Sequence, residues 1–485
     1  WVGEVGFVGG GIGLCGLTEV RGKKEWGFGY GVGSYGRDLC CSRVSPWRRF
    51  RMRRSVLELV IASSGEGKHW GGEVEVISGG VTAPRGFVAA GVCAGLKASG
   101  KKDLAIIRSC GPNEPATAAG VFTQSVMTAP PVTLCREYLK KSGGRASAIV
   151  INSGQANACT GDQGMRDAQD VAQAVASQIG VDSAHVLVSS TGVVGRRIDV
   201  EKLKKSIPAV LDLASVKGST QAAEAIMTTD LVSKTIAMES AEFGIRVGGM
   251  AKGSGMIHPN MATMLSFVTC DADVESSLWQ SMIARAADLS FNQITVDRDT
   301  STNDTLVGLA NGASGVKVSE GDIAYDTLQN MVVECCRYLA KAIARDGEGA
   351  TVLLEIRVSG TSCDSDARMI ARSVASSNLF KAAVFGRDPN WGRIAVAAGY
   401  AGVLFDPTQL EIHLGSIQLM KSGTPVAFDE RTASKYISDA SSADYLSEAN
   451  TVVVDIRVGQ GPGHGLAWGC DLSYEYVKIN AEYTT

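Results

Sequence analysis

From residue 75 onward the chain alternates short apolar runs with longer amphipathic stretches. Residues 146–152 (Ala-Ser-Ala-Ile-Val-Ile-Asn) and 185–190 (His-Val-Leu-Val-Ser-Ser) are β-branched runs too short for helices and bounded by polar, glycine-bearing segments, which predicts strands. Between them Ala168, Val171, Ala172, Val175 and Ile179 recur at helical spacing and stop at Gly180, a helix with a glycine terminator. The same spacing in Leu278, Met282, Ile283, Ala286 and Leu289, and in Leu328, Met331, Val332, Cys335, Leu339 and Ile343, predicts two further helices. Residues 352–358, 410–414, 452–458 and 474–479 read as strands, and 75–77 as a short strand before the turn-rich segment 78–87 that opens the fold. This alternation of strand, loop and helix predicts a mixed α/β protein. No internal repeat interrupts it.

Composition narrows the class. At 485 residues, 45% hydrophobic and 20% charged, the chain can bury a sizeable core in two or three domains. A net charge of −3 and the lack of a basic stripe interleaved with aromatics speak against nucleic acid. The 12 cysteines are scattered without C-x-x-C spacing and the five histidines are isolated, which argues for a reducing compartment and against a zinc site. No run of about 18 apolar residues suits a membrane span. Residues 1–74 stand apart: glycine-rich to Gly36, then dense in arginine (Arg48, Arg49, Arg51, Arg53, Arg54) and poor in acids. That leader reads as an organellar transit peptide or a disordered extension, although the chain does not begin with Met.

Special chemistry is densest in Lys252-Gly-Ser-Gly-Met-Ile-His-Pro-Asn-Met-Ala-Thr263. Two glycines permit a sharp backbone path, and Pro259 fixes φ and removes a donor, so a constrained turn is expected to hold the Ala262–Thr263 peptide at the mouth of a strand that starts with Thr263. A threonine hydroxyl there can attack the carbonyl carbon of its own preceding peptide through a five-membered ring, giving an ester that water cleaves. Thr263 would then be a new amino terminus. Its α-amine, with a reference pKa of about 7.7–8.0 against about 10.4 for lysine, can serve as base for its own hydroxyl. Thr191-Gly192, leaving the predicted strand 185–190, can aim a hydroxyl and a backbone N–H at an oxyanion; losing one such donor typically costs about 2.7–4 kcal/mol. Lys252 suits a carboxylate, and Glu348, in Asp346-Gly-Glu-Gly349 at a helix end, suits an amine.

Each of these has a plainer alternative. Thr263 is also what an ordinary strand residue looks like, Thr191-Gly192 an ordinary turn, Lys252 an exposed lysine and Glu348 a solvated loop carboxylate, while Asn480 and Thr485 read as a frayed tail. Gly253-Ser-Gly255 lacks the third glycine of a dinucleotide fingerprint, and no histidine-directed motif surrounds His258.

Taken in order, Gly79-Gly-Val-Thr-Ala-Pro-Arg-Gly-Phe87, Asn152-Ser-Gly-Gln-Ala-Asn-Ala158, Ser190-Thr-Gly-Val193, Met227-Thr-Thr-Asp230, the Lys252–Thr263 segment, Asp346-Gly-Glu-Gly349 and Ile479-Asn-Ala-Glu-Tyr-Thr-Thr485 resemble the ornithine acetyltransferase (glutamate N-acetyltransferase) family across residues 75–485. Gln155, where many relatives carry Asn, and the leader depart from the family pattern. The resemblance implies a mixed α/β sandwich of the DmpA/ornithine acetyltransferase type, similar in chemistry to N-terminal-nucleophile enzymes. It implies self-cleavage between Ala262 and Thr263 into an α chain (75–262) and a β chain (263–485), with Thr263 the nucleophile and Thr191 and Gly192 stabilising the oxyanion. Substrate contacts are implied for Thr228, Lys252, Thr263, Glu348, Asn480 and Thr485. The implied reaction is ping-pong acetyl transfer from N-acetylornithine to glutamate without a metal or organic cofactor, with acetyl-CoA a further donor in some members. Two α and two β chains per assembly and a plastid setting complete the expectation, small amino acids being the partners. The alternatives are an aminopeptidase or amidohydrolase on the same architecture, in which water resolves the acyl-enzyme, and a non-catalytic α/β binding protein.

Overall fold

Alternate residues of the central strands enter different cores, and that alternation builds the layers. In the strand Ala148–Gln155, Ile149 and Ile151 join one core while Ala148 and Val150 join another; in Leu265–Cys270, Leu265 and Phe267 face that first core, and Val268 and Cys270 a third. Such strands are buried on both faces, which explains why they read as continuous apolar runs. The structure, a computed structural model, describes residues 74–258, 264–445 and 447–482. The leader up to residue 73, the Ala262–Thr263 bond and Thr485 lie outside the described residues.

One sheet has four strands in the order Phe87–Val92, Leu104–Ser109, Ala148–Gln155, Val186–Val193. Its outer face is covered by the helices Gly161–Ile179 and Val200–Asp212. Its inner face packs, with the short helix Ser219–Ile226, against a seven-stranded sheet in the order Val74–Ile77, Lys234–Ser240, Arg246–Lys252, Leu265–Cys270, Thr305–Ala310, Ala116–Phe122, Arg145–Ala146. The helices Ser276–Asp288 and Ile323–Arg345 cover the far face of that sheet. The result is the expected mixed α/β sandwich. A six-stranded sheet built from Leu353–Gly360, residues 411–425, Thr451–Arg457 and Gly461–Cys470 carries its own helices and its own core.

Several boundaries differ from expectation for physical reasons. Residues 146–152 divide at Ser147: Arg145–Ala146 edges the seven-stranded sheet and Ala148–Gln155 sits in the four-stranded one, so one apolar run serves two sheets. Thr191 and Gly192 are not in a loop but are the last turns of register in Val186–Val193, paired in parallel with Ser153 and Gly154. The strand expected to start at Thr263 begins at Leu265. The segment 474–479 is a helix, Tyr474–Glu482, not a strand. Its β-branched and aromatic residues suggested a strand, but Tyr476 and Ile479, three apart, are its half-buried positions, and that spacing is helical. Tertiary contacts override propensity here: Tyr476 and Asn480, one turn apart, both reach across to acidic residues.

Candidate active site

Lys252 ends the strand Arg246–Lys252 opposite Leu265, two residues beyond Thr263 in the chain. It is not the exposed lysine that a glycine neighbour suggests: it is 8% accessible. Burial pushes its pKa down, opposed by the nearby Asp230 carboxylate. Its Nζ lies 3.4 Å from Thr191 Oγ1, a long hydrogen bond in which the hydroxyl accepts. An accepting Thr191 keeps its own O–H free to donate elsewhere, which is what an oxyanion donor requires. Gly192 beside it has φ +126°, and a Cβ there would lie 2.4 Å from the carbonyl carbon of Gly154, so only glycine lets the two strands approach.

Thr228 enters through Asp230. The buried Asp230 carboxylate accepts the N–H of Thr228 at 3.0 Å and that of Gly253 at 2.7 Å, tying the Met227–Asp230 turn to the residue after Lys252. Burial opposes ionisation of Asp230, but Lys234, Lys252 and the Gly253 N–H outweigh it and hold the carboxyl well below the usual range.

The second group of residues forms where the helix Ile323–Arg345 stops. Glu348 is buried, not solvated, at 9% accessible; its N–H donates to Ser254 O at 2.9 Å and its Oε2 accepts from Asn480 Nδ2 at 2.7 Å. Gly255 clears the way: a Cβ there would meet the Glu348 carboxylate at 2.4 Å. Asn480 therefore belongs to the terminal helix and to the site together. Ser254 Oγ donates to Asp346 O at 2.6 Å, so residues 252–255 run between Thr191 and Glu348. The expected residues Thr191, Gly192, Thr228, Lys252, Glu348 and Asn480 are linked through this network. Ala262, Thr263 and Thr485 lie outside the described residues.

The segment leading toward residue 262 is pinned on its other side. Asp297 accepts the N–H groups of Met256 at 2.6 Å and Ile257 at 2.8 Å. His258 Nδ1 contacts Thr295 Oγ1 at 3.0 Å, and its carbonyl accepts from Thr300 and Arg372. Burial, then Arg372, Arg298 and Lys381, bring its pKa down to about 4, so it is a neutral anchoring group at pH 7.

Four residues of the network were missed by the sequence reading. Asp230 and Lys234 sit four apart as an unremarked charge pair, and only tertiary burial makes them special. Asn303 Nδ2 donates to Ser190 O and Ala156 O, fixing the strand that ends in Thr191-Gly192. Asp304, 2% accessible, has its pKa raised well above normal by burial, against the Met264 N–H and Lys252. Its Oδ2 has no hydrogen-bond partner among the described residues. No spacing rule distinguishes Asn303-Asp304 from a polar turn before the strand Thr305–Ala310.

Comparison with known proteins identifies the family. The ArgJ family model matches residues 88–485. The chain is 55% identical over 413 residues to the arginine biosynthesis bifunctional protein ArgJ of a Synechococcus strain, covering 84% of this chain and 98% of that protein. It is 52% identical over 419 residues to the chloroplastic ArgJ of Sorghum bicolor, covering 84% of this chain and 88% of the relative. Among solved structures it is similar to the arginine biosynthesis bifunctional protein argJ from Bacillus halodurans, 39% identical with a TM-score of 0.42, over 45% of this chain and 98% of that one. With a family match over residues 88–485, terminal helix included, and relatives more than half identical over most of their length, this chain belongs to the ArgJ family.

Proposed function

We propose that this enzyme transfers an acetyl group from N2-acetyl-L-ornithine to L-glutamate through an acetyl ester on Thr263, after cleaving its own Ala262–Thr263 bond. The observation that carries the reading is the Lys252–Thr191 contact of 3.4 Å, which sets a cation and a free hydroxyl proton at the chain segment two residues from Thr263. Thr263 Oγ attacks the acetyl carbonyl as the Thr263 α-amine takes its proton, and the oxyanion rests on Thr191 Oγ1 and the Gly192 N–H. Collapse expels the ornithine amine, which receives that proton. The amine of glutamate then attacks the ester, yielding N-acetylglutamate and free Thr263. Lys252 and Glu348, with Asn480, Thr228 and Thr485, hold the charged ends of these amino acids. The chemistry invokes no metal or organic cofactor, and acetyl-CoA is an additional acetyl donor. The working assembly has two 75–262 chains and two 263–485 chains, in the chloroplast stroma, a setting supported by the chloroplastic relatives from Sorghum bicolor and Zea mays.

A denaturing gel with amino-terminal sequencing tests the cleavage. Two bands are expected, one of them beginning at Thr263. Thr263→Ala should run as one band and transfer no acetyl group. Cleavage of Thr263→Ala at the same bond refutes the proposal.

A further inference from the structure

A lysine ammonium removed from water needs three acceptors and a compensating charge. Lys234 has both: its side chain is fully inaccessible, and Nζ lies 2.7 Å from Asp230 Oδ1, 2.6 Å from Asp346 Oδ2 and 3.3 Å from Val232 O. Burial opposes its charge, but the two carboxylates prevail and hold the ammonium protonated. Stability alone does not explain the arrangement, because well-packed apolar residues often replace a buried ion triad at no net cost.

The remaining bonds of the two carboxylates explain more. Asp230 accepts the N–H groups of Thr228 and Gly253, the residue after Lys252. Asp346 accepts the N–H of Leu231 at 3.1 Å, its carbonyl takes the Ser254 hydroxyl, and the Ser254 carbonyl takes the N–H of Glu348. Lys234 thus stands at the junction of two walls. One carries Thr228 and Lys252; the other carries Glu348 and, through it, Asn480.

We infer that Lys234 is a positioning residue that sets Glu348 against Thr228 and Lys252, and that its ion pair with Asp346 joins the segments on either side of the proposed cleavage. Asp230, Lys234 and Lys252 precede residue 262, whereas Asp346 and Glu348 follow it. Once that peptide is cut, the covalent link between the walls is gone, and a buried ion pair with fixed geometry helps to maintain their spacing alongside the Ser254 bonds to Asp346 and Glu348. The inference rests on the reading of Glu348 as a substrate-binding group.

A double-mutant cycle tests it, with steady-state acetyl transfer from N-acetylornithine to glutamate on the full chain. Glu348→Gln and Lys234→Met should each raise the KM for N-acetylornithine by about tenfold while lowering kcat less than about threefold. Adding Lys234→Met to Glu348→Gln should change KM by less than about twofold, because residues acting through one contact are not additive. Multiplicative effects, or a loss confined to kcat, overturn the inference and leave the Glu348 assignment standing. An unchanged KM in Glu348→Gln alone overturns that assignment and the inference with it. If Lys234→Met is insoluble, Asp346→Asn, which keeps the side-chain shape and an acceptor for Leu231, carries the same cycle with the same outcomes.

Discussion

Gly192→Ala is the sharpest perturbation the geometry offers. Gly192 pairs with Gly154 at the end of two parallel strands, at φ +126°, and an added Cβ meets the Gly154 carbonyl carbon at 2.4 Å, its oxygen at 2.5 Å and the Gln155 nitrogen at 2.8 Å. All three are backbone atoms, so no side chain can swing away. Reaching a carbon contact near 3.5 Å needs a displacement of about 1 Å, and the dihedral strain itself costs on the order of 1–3 kcal/mol. The moved atoms are the Gly192 N–H and Thr191 Oγ1, the two proposed oxyanion donors. A 1 Å misplacement or a lost donor lowers turnover by about 100-fold or more, so kcat should fall at least that far. Gly195→Ala is the control: it sits at φ +79° with nothing within 4 Å of the added Cβ, so it bears strain without displacement. Thermal unfolding should show both variants destabilised by a few °C, and acetyl-transfer assays should show only Gly192→Ala crippled. If Gly192→Ala keeps more than about a third of wild-type kcat, or Gly195→Ala loses as much, the assignment of the donors fails.

His258→Gln should flatten the acid limb of stability. Burial depresses the native pKa of His258 from 6.5 to about 4, so the unfolded chain binds the proton first; the contribution is whole above 6.5 and is lost as pH falls toward 4. Urea midpoints of both proteins at pH 7 and pH 4.5 read this, and equal slopes would contradict it. Asp304 runs the other way: its raised native pKa means that the unfolded chain ionises first, so stability is lost as pH rises above the ordinary carboxylate value. Asp304→Asn, which stays neutral, should therefore gain stability over wild type at pH 8, whereas Asp304→Ala leaves the Met264 N–H unpaired at a cost of about 1–3 kcal/mol. Chemical unfolding at pH 8 that ranks Asp304→Asn below wild type refutes a neutral Asp304.

Periodicity revealed the layers because the strands and helices that make them carry their cores in local spacing. The helix Gly161–Ile179 ends at Gly180 as its apolar positions demand, and Ile323–Arg345 stops just before Asp346-Gly347. The terminal helix was not legible, since Tyr474, Tyr476 and Val477 favour a strand and the contacts to Asp297 and Glu348 lie more than a hundred residues away in sequence. The proposed site residues were named from an ordered set of motifs rather than from physics. Lys252, Glu348 and Asp346 illustrate why: each looks like a solvated surface charge until the fold buries it, and no local pattern reports burial contributed by distant segments.

Those buried charges also constrain which ligands fit. Lys234 pairs with Asp230 and Asp346, and burial raises the pKa of the Asp304 carboxyl well above its ordinary value, which favours its neutral form. Glu348 has the Asn480 amide against its carboxylate and, among the described residues, no ion-pair partner within 4 Å. A ligand that brings an ammonium to Glu348 and a carboxylate to Lys252 replaces water at both with opposite charge, and it also supports the protonated form of Lys252 that burial disfavours. N-acetylornithine carries one of each. A ligand without the ammonium leaves Glu348 with no opposite charge from the ligand, which costs up to several kcal/mol. On the proposed assignment of Glu348, ligands that carry an amino group are expected to be favoured over isosteres without one, independent of where Thr263 lies.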